Sequence, residues 1–138
     1  LGIKTNQWKI HFKIIDIKMN YTEVRPWGKF ENLLESDYCK VKQITVKPGG
    51  KLSYQYHDQR SERWVIVQGA AVVMLDDFEY DKEAGDAIYI PQGMKHNIWN
   101  PHEEDCIFIE VQTGTYFGED DIVRLNDIYG RAWKNTIL

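Results

Sequence analysis

The chain is poor in the features that mark disulfide scaffolds, membrane proteins and nucleic-acid binders. Its 138 residues include only two cysteines, Cys39 and Cys106, which we expect to be buried or half-buried thiols. No apolar run approaches the ~20 residues that a bilayer-spanning helix requires, and no secretory signal is visible, so we expect a cytoplasmic protein. The net charge of −4 and the scattered Lys and Arg favour neither a nucleic-acid partner nor a membrane partner.

Internal repeats, linkers and a long amphipathic helix are also missing, and short strand-like segments take their place. The length suits one domain. Predicted strands cover 38–46, 64–67, 70–75, 78–82, 88–90, 97–99 and 106–112, with Gly, Pro and Asp turns between them. In the first of these strands, Cys39, Val41 and other apolar residues indicate a half-buried strand. This pattern predicts an all-β barrel or sandwich.

The N-terminal segment allows two interpretations. In residues 1–20, Trp8, Ile10, Phe12 and Ile14 alternate with polar residues as in a strand, while Met19 resembles a natural start. Residues 1–18 are therefore either foreign or upstream sequence, or an extra edge strand. We treat 1–20 as an N-terminal extension and 21–138 as the domain.

The tail carries an acidic cluster at 119–121. We favour a solvated turn or a helix start over a metal site there, because carboxylates favour the positive end of a helix dipole. Its apolar residues are then expected to pack the tail against the barrel; they are Ile122, Val123, Leu125 and Ile128.

Two glycine-bounded blocks, 49–69 and 85–100, contain the best candidate for a chemical site. Alternation along a strand points Gln55 and His57 the same way, and a turn through 58–61 brings Glu62 back beside them. The second block adds His96. Imidazole, carboxylate and amide groups suit a divalent metal ion. The alternatives are a pair of hydrogen-bonded core histidines, and a Gln55 that orients a bound water.

Four other polar residues are candidates for contact with a ligand. Lys51 shares strand parity with Gln55 and faces the interior, unless it lies in the preceding turn. Arg60 either binds an anion or carbonyl at the barrel mouth or is a solvated loop residue. Glu110 is a candidate base if the polar face of its strand is the inner one, and Arg131 either closes over the site or lies on the surface.

The spacing of the two blocks resembles the paired motifs of the cupin family. The first block reads GGKLSYQYHDQRSERWVIVQG and the second GDAIYIPQGMKHNIWN. The usual first histidine of the motif is replaced by Gln55. The resemblance implies a single-domain double-stranded β-helix, that is, a jelly-roll barrel.

Four blocks resemble one branch of the cupins, the type II mannose-6-phosphate isomerase family. They are RPWG, VKPGGKLSYQYHDQRSERW, IPQGMKHNIWN and IEVQTGTYFGEDDIVRLNDIYGR, and they span residues 21–131. In that family the domain occurs alone or fused behind a GDP-mannose pyrophosphorylase domain, which this sequence lacks, so pyrophosphorylase activity is not implied. Arg63 stands where the family has histidine.

The resemblance implies a metal-dependent isomerase that interconverts mannose 6-phosphate and fructose 6-phosphate for GDP-mannose and polysaccharide precursor synthesis. One divalent ion of Mn, Co, Zn or Fe is expected. The expected metal ligands are Gln55, His57, Glu62 and His96; the expected catalytic residues are Lys51, Arg60 and Glu62; the expected substrate-binding residues are Lys51, Arg60, Glu110 and Arg131. The alternatives are a sugar-nucleotide isomerase or epimerase on the same site, and a non-catalytic sugar- or sugar-nucleotide-binding cupin.

We also expect a homodimer. An open β-sandwich has strand edges that need protection, and closed two-fold dimers are the commonest assembly. The chain is rich in aromatic residues, which are enriched at interface cores. Its tryptophans are Trp8, Trp27, Trp64, Trp99 and Trp133. Residues before Arg25 are expected to contribute a strand or to cover an edge.

Overall fold

The computed structural model describes residues 21–131, which form eleven β-strands and no α-helix. The strands are β1 (Tyr21–Arg25), β2 (Gly28–Glu35), β3 (Cys39–Val46), β4 (Tyr54–Tyr56), β5 (Arg60–Gln68), β6 (Ala70–Leu75), β7 (Phe78–Glu83), β8 (Ala87–Ile90), β9 (His96–Trp99), β10 (Cys106–Gly114) and β11 (Val123–Asn126). The all-β prediction is confirmed. The predicted N-terminal strand lies outside the described residues, and among those described no helix could cross a membrane.

Two antiparallel sheets enclose the core. One has the strand order β1-β2-β3-β10-β5-β8 and the other β11-β4-β9-β6-β7. Phe30, Ile44 and Phe108 are buried on the first sheet, and Val73 and Ile98 are buried on the second. Strands adjacent in sequence often lie in different sheets, as in a jelly-roll. The site described below lies between the two sheets.

Two tight turns contain residues that favour a turn conformation. Pro26 and Trp27 form the loop of the β1–β2 hairpin, and Trp27 is buried. Asp76 and Asp77 join β6 to β7 with φ angles of 45° and 73°. Positive φ at both central positions is typical of a type I′ hairpin turn, for which Asp is among the preferred residues. Both segments were predicted as turns.

Strand β3 buries two lysines. Lys40, Lys42 and Ile44 point inward and are buried, whereas Cys39 and Val41 are half-buried. The prediction of a half-buried strand holds, but the burial of the lysines was not predicted. Both buried lysines donate to the Glu119 carboxylate, which offsets the cost of taking their charge out of water.

The tail forms a strand rather than a helix. β11 pairs antiparallel with β4, and the segment before it is an irregular turn. Of the apolar tail residues expected to pack on the barrel, Ile122 lines the interior cavity, but Ile128 is 61% exposed, so that expectation is wrong for Ile128. Among residues 21–131 the acidic cluster contributes to no metal-ligating group.

Candidate metal centre and its cavity

Three buried side chains converge from three places in the fold. His57 follows β4, Glu62 lies in β5, and His96 begins β9. One potential ligand atom from each residue lies within 4.8 Å of the other two. The two imidazole rings have centroids 5.1 Å apart. Sequence spacing thus identified the three residues that the fold brings together.

Both imidazoles are oriented by backbone carbonyls on their outer side. His57 Nδ1 lies 2.6 Å from the carbonyl oxygen of Asp121, and His96 Nδ1 lies 2.9 Å from that of Met94. Each Nδ1 therefore donates its proton outward, and in the neutral ring each Nε2 presents a lone pair to the site. Burial lowers the pKa of His96 to about 4, so its ring is neutral near pH 7.

Arg60 places a positive charge between two of these groups. His57 Nε2 and Glu62 Oε1 are only 3.1 Å apart. Arg60 Nη2 lies 3.3 Å from the nitrogen and 3.0 Å from the oxygen, and Arg60 Nε donates to the same oxygen at 3.0 Å. Two facing acceptors repel unless a cationic group lies between them, and this guanidinium fills that role. Arg60 is buried, so the alternative of a solvated loop arginine is wrong.

A second buried carboxyl group belongs to the same network. The Trp64 indole N–H lies 2.9 Å from Glu62 Oε2 and 3.0 Å from Glu110 Oε2. Gln112 Nε2 donates to Glu110 Oε1 at 2.6 Å. Burial, followed by the charge of Glu62, raises the pKa of Glu110 to about 8, so this carboxyl holds a proton near pH 7. The polar face of β10 is therefore the inner one.

His57 and Glu62 line a cavity with about 660 Å³ of empty space including its mouth. Gln55 lies in its wall, on β4 and directly across from His96 on β9. Its side-chain oxygen accepts a hydrogen bond from Ser53 Oγ at 2.8 Å. Gln55 is thus beside the triad, in a position to be a fourth ligand or to orient a water.

The remaining candidates divide between the cavity and the surface. Arg131 lines the cavity and makes a two-pronged ion pair with Asp127, at 2.8 Å and 3.0 Å. Lys51 is not among the cavity residues; its Nζ lies 5.8 Å from the ring of the half-exposed Trp99. The inward orientation expected for Lys51 is therefore wrong. Strand β4 begins only at Tyr54, so strand parity does not extend back to Lys51.

Several cavity residues were missed by the sequence analysis. Arg25, Lys42 and Arg124 line the same cavity as His57 and Glu62. The two arginines belong to the RPWG and DDIVRL segments, whose charges could have been noticed because those segments carry the family resemblance. Lys42 gave no such indication, since a lysine within an alternating strand is ordinarily solvent-facing.

The donor set fits a divalent metal ion. Two Nε2 lone pairs and one carboxylate are common ligands of first-row transition metals. His96 Nε2 is buried and has no hydrogen-bond partner among residues 21–131, so an ion would satisfy an otherwise orphaned acceptor. At His57, the Nε2 lone pair that an ion would use already faces Arg60 Nη2. Metal binding therefore requires the contact between Arg60 Nη2 and His57 Nε2 to break.

Comparison with known proteins agrees with these motifs. A family model described as mannose-6-phosphate isomerase C-terminal matches residues 6–127. The alginate biosynthesis protein AlgA of Pseudomonas aeruginosa is 45% identical over 114 residues, which are 82% of this chain and 24% of AlgA. A mannose-1-phosphate guanylyltransferase of Escherichia coli is 46% identical over 108 residues, 78% of this chain and 23% of that protein. The chain thus spans about a quarter of the length of these curated relatives.

Solved structures confirm the fold. The capsular polysaccharide assembling protein CapF of Staphylococcus aureus superimposes with a TM-score of 0.69 at 23% identity, covering 78% of this chain and 34% of CapF. The Cnp3 cupin domain of Schizosaccharomyces pombe gives a TM-score of 0.59 at 15% identity, covering 62% of this chain and 64% of that domain. At these identities the likeness shows the cupin fold alone.

Proposed function

The chain belongs to the mannose-6-phosphate isomerase C-terminal family, and from that premise we propose that it interconverts mannose 6-phosphate and fructose 6-phosphate with the aid of one divalent metal ion. The observation that carries the proposal is the convergence of His57, Glu62 and His96, the first two of which line a cavity that a second buried carboxyl, Glu110, also lines. Because the matched relatives include an alginate biosynthesis protein, we place the reaction in the supply of polysaccharide precursors, in the cytoplasm.

The metal ion would be held by His57, Glu62 and His96, with Gln55 adjacent. When bound, it supplies a positive charge that polarises the sugar carbonyl and stabilises the negative oxygens of an enediolate. Mn, Co, Zn and Fe are all compatible with nitrogen and carboxylate ligands, so the donor set does not select one of them.

Isomerisation also needs a group that carries a proton between neighbouring carbons. Three carboxyl groups line the cavity. Glu62 serves as a ligand in this proposal, and Glu119 is occupied by Lys40 and Lys42. That leaves Glu110, whose carboxyl is fixed on both oxygens by side-chain donors. We assign the proton transfer to the ionised form of Glu110, which the positive charge of an ion held at Glu62 would favour over the protonated form, and we assign to Arg60 the donation of a hydrogen bond to the oxygen on which charge develops.

A coupled assay with mannose 6-phosphate tests the reaction. We expect EDTA to abolish turnover and one of Mn, Co, Zn or Fe to restore it. Glu110→Gln should lower kcat by about 10²-fold or more while metal content is retained. The matched control is Glu103→Gln, because Glu103 is exposed. No turnover with any metal would remove the isomerase proposal and favour the sugar-binding alternative; turnover of GDP-mannose alone would favour the sugar-nucleotide alternative.

Metal content is a separate test. Elemental analysis of the wild type should find roughly one equivalent, and His57→Ala combined with His96→Ala should lose it. His102→Ala serves as the control, because His102 is exposed and only its backbone N–H is hydrogen-bonded. Full retention of the metal in the double variant would place the ion elsewhere.

A further inference from the structure

Four basic side chains line the cavity in addition to Arg60. They are Arg25, Lys42, Arg124 and Arg131. Three of these four cations have a carboxylate partner within the described residues. Arg25 pairs with Glu23, Lys42 shares Glu119 with Lys40, and Arg131 pairs with Asp127.

Arg124 is the exception. Its guanidinium makes no ion pair within residues 21–131, and its Nε is buried without a hydrogen-bond partner among them. Burial and the positive charges of Arg131 and Arg25 lower its pKa, yet a guanidinium stays protonated at neutral pH. A half-buried guanidinium that makes no ion pair and lies beside other cations is in an unfavourable position unless an anion joins it.

The position of Arg124 in the sheet relates it to the metal centre. Arg124 on β11 is the register partner of Gln55 on β4, and Gln55 is the register partner of His96 on β9. Two inter-strand steps separate the backbones of Arg124 and His96 by about 10 Å. A hexose 6-phosphate carries its reacting carbons and its phosphoryl group at opposite ends of a six-carbon chain, which is a span of this order.

We propose that Arg124, supported by Arg131 and Arg25, binds the phosphoryl group of a phosphate monoester in this cavity. Guanidinium groups match phosphate oxygens with paired N–H donors, and a low-dielectric wall strengthens the attraction. The identity of the monoester as a hexose 6-phosphate rests on the proposed function. The existence of the anion site rests only on the unpaired cation and its neighbours.

The primary test is calorimetric titration of inorganic phosphate into the EDTA-treated full-length chain, so that no metal contributes to binding. We expect Arg124→Gln to weaken phosphate binding by about tenfold or more, which is about 1.4 kcal/mol or more, because the variant loses hydrogen bonds from a charged donor. Arg124→Lys, which keeps the charge but loses the paired donors, should weaken binding less. The control is Arg63→Gln, because Arg63 is exposed and its guanidinium carbon lies 4.3 Å from the Tyr89 ring centroid.

Steady-state kinetics on the metal-loaded chain distinguishes the two proposals. Arg124→Gln should raise KM for mannose 6-phosphate by a similar factor and change kcat little. Turnover with an unchanged KM in Arg124→Gln would overturn the anion site and leave the isomerase function standing. If the wild-type chain shows no turnover and Arg124→Gln loses phosphate binding, the anion site is supported and the isomerase function is overturned.

Unchanged phosphate affinity in Arg124→Gln, or equal weakening in Arg63→Gln, would also overturn the anion site. Thermal melting of each variant accompanies the titrations. Where Arg124→Gln does not fold, the comparison of Arg124→Lys with wild type decides, and equal affinities for phosphate then overturn the proposal.

Discussion

Replacing Glu119 by glutamine should lower stability and strengthen phosphate binding at the same time. Glu119 accepts hydrogen bonds from Lys40 and Lys42, two lysines buried on the inner face of β3. Although burial favours its protonated form, these lysines lower the pKa of Glu119 to about 2. The carboxylate therefore stabilises the folded chain as long as it is ionised.

The expected loss of stability follows from the change in the pKa of Glu119. A change from 4.5 to about 2 corresponds to an upper limit of about 3.4 kcal/mol, at 1.36 kcal/mol per unit. The Glu119 side chain is 44% exposed, so water screens part of the attraction and we expect ~1–2 kcal/mol. Because the folded pKa is the lower one, this stabilisation is complete above pH 4.5 and is lost as the pH falls towards 2.

The second effect of Glu119→Gln is stronger phosphate binding. Without a carboxylate beside it, Lys42 adds an unpaired positive charge to the cavity wall, and phosphate affinity should rise severalfold. Urea unfolding between pH 7 and pH 3, together with phosphate titration, measures both effects. Glu79→Gln is the control, since Glu79 is exposed. A Glu119→Gln variant as stable as wild type at pH 7, or one whose deficit does not shrink in acid, would refute the reasoning.

Two further predictions concern the thiols and the assembly. Burial raises the pKa of Cys106 to about 11, whereas Cys39 is only half-buried, so a thiol reagent should modify about one cysteine in the native chain and both in denaturant; rapid modification of both in the native chain would contradict this. Light scattering should give a dimer mass for the full chain and for a chain starting at Met19; a monomer in both would end the dimer prediction. Lysine at Val65 and Val67, which are 44% and 51% exposed on one outer face, should produce monomers if that face is the interface.

Local patterns made much of this fold and site predictable. Strand alternation and turn residues act over a few neighbours, so most strands and the Asp76–Asp77 turn could be read from sequence. The convergence of His57 and Glu62 needed only the short turn between β4 and β5. His96 required a distant strand, and the spacing of two glycine-bounded blocks supplied that information.

Long-range pairing accounts for what could not be predicted. Lys40 and Lys42 point inward because Glu119 lies opposite them, 77 and more positions along the chain. Nothing near β3 in sequence indicates this partner, so the burial of the two lysines could not be predicted. Lys51 was misplaced for the reverse reason, because a local parity rule was extended beyond the residues that form a strand.

Asp121 connects the tail to the candidate metal centre through hydrogen bonds, so the tail cannot move outward without disturbing His57. Its carbonyl oxygen accepts from His57 Nδ1, and its carboxylate accepts the backbone N–H groups of Asp58 and Gln59 at 3.0 Å each. An outward movement of the tail would break these hydrogen bonds and release the His57 imidazole. We therefore expect exchange of the Asp58 and Gln59 amide hydrogens with solvent to report opening of the tail, without any sugar being turned over.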